Sequence, residues 1–446
     1  MPHNEFNSQD LAPTTARVLL TGTNRWGMPA RLAIGLAKAG CEVSAVCPIP
    51  AHPLLKTRAV RQAFSYSGLH PLDSLTAAIK AVRPQIIVPC DDRGVRHLHQ
   101  LYARAHGQGK AGSQIAALIE RSLGSPESYP VVASRYGLLR MAREEGIRVP
   151  ETHPINTIDD LEFWSARQSL PWVLKADGTW GGGGVRFAGT RAQAEQFFGE
   201  LTQPPRPAQV IKRLIMHRDR LRLWSCWEQS RPAITIQEHI QGRPANCAVV
   251  CWEGRVLAGI GVEVVSSDGL QGPAVVVRAV NNPAMKLAAE RIARRLHVSG
   301  FFGLDFMIED GTNAPYLIEM NPRCTPLCHL RLGKGRDMVG ALQAQLTGQP
   351  FRETPPVTGN DMIAYFPQAL LCQSPFLQSS FQDLPEDEPD LIQAMLHPWS
   401  ERSLVGRALD SLRRLRRKDS PPVLCTFPAA VAPEVFATSE EVRVSG

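Results

Sequence analysis

Residues 303–323 read GLDFMIEDGTNAPYLIEMNPR. Leu304, Phe306 and Ile308 alternate with Gly303, Asp305 and Met307, the period of a strand. Asp310–Asn313 supplies a turn, and Tyr316–Arg323 reads as the hairpin partner. Glu319 and Asn321 are two apart and share a face, with Asp305 on the neighbouring strand. Three hard oxygen donors, two of them anionic, suit a Mg²⁺ ion that substrate phosphates also hold. Taken alone, the same residues also read as half-buried carboxylates capping two strands.

Working outward, the next signal is Trp172–Val185: a short strand WVLK, then Ala176-Asp177-Gly178-Thr179-Trp180, then Gly181-Gly182-Gly183-Gly184. A run of glycines lets backbone amides approach a polyphosphate closely, and Lys175 on the strand supplies a positive charge. A plain flexible hairpin turn is the other reading. Between the two signals, Ile234–Gly242 (ITIQEHIQG) is a strand and turn. Backbone groups around Glu238, His239 and Ile240 could bond an adenine edge, with Ile236 and Ile240 flanking the ring.

The order strand-Lys-glycine loop, QEHIQG and G-x-D…IEMNPR resembles the ATP-grasp superfamily, in particular the branch of carbamoyl-phosphate synthetase, biotin carboxylase and carboxylate–amine ligases. The resemblance covers residues 123–348. It implies ATP held between two α+β subdomains and acyl-phosphate chemistry. Carried over by position, Lys175 and Arg135 would contact phosphates, Gly181, Gly182, Gly183 and Gly184 would cover them, and Glu238, His239 and Ile240 would meet the adenine. Asp305, Glu319 and Asn321 would hold Mg²⁺, with Mn²⁺ as the alternative, and Arg323 would face the transferred phosphate or the substrate carboxylate. Two departures stand out. Relatives often show Asp-Lys where this chain has Ser134-Arg135, and Gly242–Asn246 offers no acid for a ribose.

Upstream, Arg17–Thr23 and Glu42–Val46 are short apolar runs around a helix-like stretch Pro29–Ala39, and Gln85–Pro89 follows a helical stretch Leu72–Val82. An open parallel α/β sheet reaching about residue 112 is expected. Gly22 and Gly27 do not make G-x-G-x-x-G, no acid ends the second strand, and no P-loop occurs, so a dinucleotide site or P-loop NTPase is not expected. Tyr129–Glu145 reads as one helix, and Pro204–Ser230 as an insertion or long hairpin. The expected organisation is a disordered 1–16, an α/β domain at 17–122 like the one that usually precedes the grasp, an ATP-grasp domain at 123–348 and a C-terminal extension at 349–446.

The bulk properties fit this picture. The 446 residues are 43% hydrophobic and 20% charged, with a formal net charge of +7. Much of that excess is one segment, Ser400–Ser420, with seven basic against three acidic residues, so nucleic acid is not an expected partner. Ten cysteines, a polar start and no run of about 18 apolar residues lead to the expectation of reduced thiols in a cytoplasmic protein. Cys324, Cys328 and His329 lack a second ligand pair for zinc and read as loop packing. His97 and His99 read as surface residues. Arg331 and Lys334 could meet a substrate anion or be solvated charges. A basic helix near Ser403–Lys418 reads as docking on its own protein, against the acids of Asp383–Asp390, or on anionic lipid or an acidic partner.

The expected activity is ligation of a small-molecule carboxylate to an amine with release of ADP and phosphate. A bicarbonate-using carboxylase or carbamoyl-phosphate-like enzyme, an ATP-binding protein without turnover and a nicotinamide oxidoreductase are the alternatives. Oligomeric state is not legible, and a homodimer is one option.

Overall fold

In the computed structural model, residues 15–50, 52–178, 184–203, 232–269 and 272–397 are described, all within one compact unit, Met1–Pro398. The expected insertion and basic helix lie outside these residues.

The chain begins with β1 (Arg17–Thr21), α1 (Met28–Lys38), β2 (Glu42–Cys47), β3 (Val60–Ser65), α2 (Pro71–Val82), β4 (Ile86–Pro89), α3 (Asp92–Ala105) and α4 (Gly109–Leu123). The four strands form a parallel sheet in the order β3-β2-β1-β4. Apolar residues run continuously along β1 because both faces are covered. Val18 and Leu20 pack with Leu32 and Leu36 of α1, whereas Leu19 packs with Leu75, Leu98 and Ile119 of α2, α3 and α4. Each fully buried leucine contributes about 1.5–3 kcal/mol of burial. Helix α4 extends past the expected limit of this sheet, near residue 112.

The histidines of α3 correct an expectation. His97 is buried and hydrogen-bonds the Tyr66 hydroxyl, and His99 stacks on Tyr129 with ring centroids 3.9 Å apart. Helix α3 is covered by α2, α4 and the segment at Tyr129, so few of its faces meet solvent. Burial pushes both imidazoles down to about 4.

The expected single helix Tyr129–Glu145 is two, α5 (Tyr129–Val132) and α6 (Arg135–Glu144). Ser134 breaks it: in extended conformation its hydroxyl accepts from the Gly137 amide at 3.0 Å and caps α6, setting Arg135 in the first turn. Next come β5 (Thr152–Ile155), α7 (Ile158–Ser165), β6 (Trp172–Ala176), β7 (Val185–Ala188), α8 (Arg191–Thr202) and β8 (Ile234–Glu238). The strands form an antiparallel sheet ordered β5-β8-β6-β7, with α7 and α8 packed on one face over Trp172, Leu174, Ile234 and Ile236.

The remaining elements are β9 (Gly242–Trp252), β10 (Arg255–Ser267), β11 (Ala274–Val280), α9 (Pro283–Leu296), β12 (Gly300–Glu309), β13 (Pro315–Asn321), α10 (Met338–Thr347), β14 (Met362–Tyr365), α11 (Gln368–Leu371), β15 (Phe381–Asp383) and α12 (Pro389–Leu396). They build a seven-stranded sheet, β13-β12-β9-β10-β11-β14-β15, antiparallel except for β14 with β15. The protein is thus a mixed α/β fold with a parallel N-terminal sheet and two largely antiparallel sheets.

Residues 349–397 are not detached from this unit, since β14 and β15 extend the large sheet. The acids of Asp383–Asp390 are also partly engaged within it. Asp383 pairs with Arg31 and His329, Asp387 with Lys38, and Glu388 accepts from the Thr57 hydroxyl. No helix among the described residues is long and apolar enough to cross a membrane.

Candidate active site

The period of two and the short turn set the β12–β13 register, which pairs Asp305 with Glu319 and Gly303 with Asn321. Cross-strand pairing sets the two carboxylates on one face at side-chain contact range. On the other side of β12, Asp305 is opposite Asn246 of β9, whose side-chain amide donates to Asp305 Oδ1. Asn321 Nδ2 donates to Asp305 Oδ2 at 2.8 Å. Burial, followed by repulsion from Glu319, raises the Asp305 carboxyl above its ordinary range, with the two amide donors opposing.

Arg135 joins this hairpin to the small sheet. Its guanidinium, 7% exposed, donates to Glu319 Oε1 at 3.0 Å, to Asp177 Oδ1 at 3.0 Å and to the Ala176 carbonyl at 3.3 Å. The Asp177 carboxyl is raised by burial, with Arg135 opposing. Lys175, one residue earlier on β6, is 6% exposed and donates to Gln237 Oε1 at 2.7 Å. Burial and then repulsion from Arg135 push Lys175 down to about 8, while Glu319 and Asp305 resist. The fields of Lys175, Arg135, Glu319 and Asp305 therefore overlap, although these residues come from three separate stretches of chain.

Strand parity corrects one expectation. Lys175, Thr235 and Gln237 share the face of the small sheet opposite α7 and α8, and Ile236 is buried in the core beneath those helices. Ile236 is thus unable to flank a ring on the lysine side. Ile240 is buried past the end of β8, the His239 ring lies 5.7 Å from that of Phe187, and Glu238 is tied through its amide and carboxylate to Glu151. Of the glycine run, Gly184 is described, and its carbonyl accepts from the Ala176 amide at 2.9 Å. Gly181, Gly182 and Gly183 lie outside the described residues.

Arg323 follows β13 and meets the N-terminal sheet. It donates to Asp92 Oδ1 at 3.0 Å and Asn321 Oδ1 at 3.0 Å, and its guanidinium carbon is 5.8 Å from the Trp26 ring centroid. Trp26 belongs to the loop after β1, which Asp91 anchors by accepting from the amides of Thr23, Asn24 and Gly94 and from the Thr23 hydroxyl. This loop and the start of α3 follow β1 and β4, where crevices form at the carboxyl ends of parallel strands. Cys324 and Cys328 are buried free thiols, and His329 is held by Asp383.

Asp305, Glu319 and the Asn321 amide are the hard oxygen donors Mg²⁺ prefers, and the mutual repulsion of the two carboxylates is what a divalent cation relieves. The residues therefore fit that ion. In the present arrangement Asn321 Oδ1 accepts from Arg323, so joining a metal shell requires sharing or turning the amide. Among the described residues no group of three or more His, Cys, Asp or Glu is placed to hold a metal.

Residues that sequence reasoning missed are Gln237, Asn246, Asp177, Asp92 and Trp26. The first had a signal, its even spacing from Thr235 across from Lys175, and the others depend on long-range pairing.

Residues 132–326 match the ATP-grasp domain family. No curated protein matches the chain in sequence. Among solved structures, the biotin carboxylase domain of the Hydrogenobacter thermophilus 2-oxoglutarate carboxylase, in complex with MgADP, ADP and bicarbonate, is similar at 14% identity. That match covers 75% of this chain and 70% of that one, with a TM-score of 0.53. The Campylobacter jejuni biotin carboxylase in its beta-gamma-ATP complex is 12% identical over 75% and 72% of the two chains, with a TM-score of 0.54. The Staphylococcus aureus N5-carboxyaminoimidazole synthetase complexed with ADP is 13% identical over 76% and 78%, with a TM-score of 0.52. The family match and the two antiparallel-rich sheets concern the same region, and residues 132–326 are similar to an ATP-grasp domain.

Proposed function

We propose that the protein is an ATP- and Mg²⁺-dependent ligase that joins a small-molecule carboxylate to an amine or similar nucleophile through an acyl phosphate, releasing ADP and phosphate. The observation that carries this reading is the convergence of Lys175, Arg135, Glu319 and Asp305 between the small and large sheets. Mg²⁺, held by Asp305, Glu319 and Asn321, would neutralise charge on the phosphates.

Lys175 and Arg135 act as fixed cations toward the phosphates of the nucleotide, and Gly181–Gly184 cover them. Glu238, His239 and Ile240 border the adenine. Attack of a carboxylate on the terminal phosphorus brings anions together, so Arg323 lowers the barrier by facing the developing charge, and positioning supplies most of the rest. Asp92, Asn321 and Trp26 hold that guanidinium in place, which supports an acceptor site bordered by the N-terminal α/β unit. On this reading residues 17–122 form the domain preceding the grasp and 123–348 the grasp itself.

The test is a phosphate-release screen of purified protein with ATP, Mg²⁺ and pools of carboxylic acids and amines, one arm containing bicarbonate alone. Glu319→Ala and Lys175→Ala serve as controls. Turnover that needs both an acid and an amine, and is lost in both variants with folding still cooperative, is expected. ADP release driven by bicarbonate alone would favour a carboxylase-like reaction, and unchanged activity in Glu319→Ala would defeat the metal assignment.

A further inference from the structure

A cleft of about 850 Å³ lies away from the catalytic candidates, and none of Arg135, Lys175, Asp305, Glu319 or Arg323 lines it. Its floor is one face of α1, with Arg31, Ile34 and Lys38, together with His329. One wall comes from residues 330–357 and the other from residues 381–388. Its size is in the range of small-molecule pockets, about 300–1,000 Å³.

The walls differ in charge. The first presents Arg331 and Arg352, neither with an ion pair among the described residues, and its one acid, Asp337, caps α10 by accepting from the Gly340 amide and also accepts from the Thr354 hydroxyl. The second presents Glu386, Asp387 and Glu388. Against these, Lys38 pairs with Asp387 in an exposed contact of the kind that contributes little. Between the walls the floor is polar and already neutral: Asp383 accepts from Arg31 and from His329 Nε2, at 2.9 Å for the latter. With Nε2 donating to Asp383, Nδ1 of His329 is left as an acceptor. That nitrogen and Arg31 Nε are buried without a partner among the described residues, and the His329 side chain is only 6% exposed.

A simple anion would be repelled by the 386–388 wall and a simple cation by the two arginines. A molecule bearing both charges is attracted by both walls. We propose that this cleft binds a zwitterion, an α-amino acid or short peptide, with its carboxylate on Arg331 and Arg352 and its ammonium on Glu386 and Asp387. The assignment does not depend on the ligase reading, because it uses none of those residues.

The test is calorimetric titration of the full-length chain with each common L-amino acid and with alanyl dipeptides, repeated on Arg352→Ala and Glu386→Gln. Both positions are exposed, and unchanged thermal midpoints establish that the variants fold. At least one probe is expected to bind, each variant weakening it by about tenfold or more, and saturating MgADP leaving it unchanged. N-acetylation or amidation of that probe is expected to abolish binding. The proposal is overturned if no probe binds at millimolar concentration, if binding survives both variants, or if MgADP competes with the probe.

Discussion

Replacing Arg135 by methionine would test the joint between the small sheet and the carboxylate hairpin. The guanidinium is 7% exposed and bridges Asp177 and Glu319 at 3.0 Å each. Removing one partner of a buried ion pair costs about 3–5 kcal/mol. Asp177 and Glu319 are 19% and 35% exposed, so water screens part of the stranded charge, and roughly 2–3 kcal/mol is the better expectation. At roughly 1.2 °C per kcal/mol for a unit of about 400 residues, the unfolding midpoint should fall by about 2.5–3.5 °C. The assay is scanning calorimetry at neutral pH with chelator present. Millimolar MgCl₂ should then restore more of the midpoint in the variant than in the parent, because arginine no longer competes with the ion for the carboxylates. NaCl at equal ionic strength should restore less. A fall under about 1 °C, or equal recovery by the two salts, would refute the reasoning.

Lys175 is held near 8, so it carries its charge below that pH and loses it above. The kcat/KM for ATP should therefore fall about tenfold per unit as pH rises beyond about 8, and Arg135→Met should move that limb upward. His52, fully buried and bonded to the Asn24 carbonyl, is pushed down to about 4 by burial, so the unfolded chain binds its proton first. Stability from keeping this ring neutral is present above 6.5 and is lost as pH falls toward 4, amounting to about 2 kcal/mol near pH ~5. Urea titrations of His52→Gln should show a weaker pH dependence than the parent. A Cβ on Gly27 would lie 2.4 Å from the end of Met395, so Gly27→Ala should destabilise by about 1–3 kcal/mol. Adding Met395→Ala should recover part of that loss, and strictly additive midpoints would show that the two do not meet.

The hairpin at residues 303–321 was legible because its information is local. A period of two and a turn are enough to bring Asp305 and Glu319 to one face, and β12 and β13 show that register. Lys175 was legible for the same reason, sitting on a short strand before a glycine run. Ile236 was misread because an apolar residue beside a candidate binding stretch looks the same whichever face it takes. Here α7 and α8 cover one side of the small sheet, and that packing sends Ile236 inward while Gln237 meets Lys175.

Arg135 was visible as a departure from its relatives, yet its partners, 42 and 184 residues away, were not. Asp92, 231 residues before Arg323, left no trace at either position. The amino-acid order alone determined the strands flanking the site and the shared face of the carboxylates, since period and turn chemistry act over a few residues. Which charges meet, and that an arginine rather than a lysine bridges the two sheets, was decided by tertiary packing, because a single ion pair across hundreds of residues imposes no pattern on the chain between them.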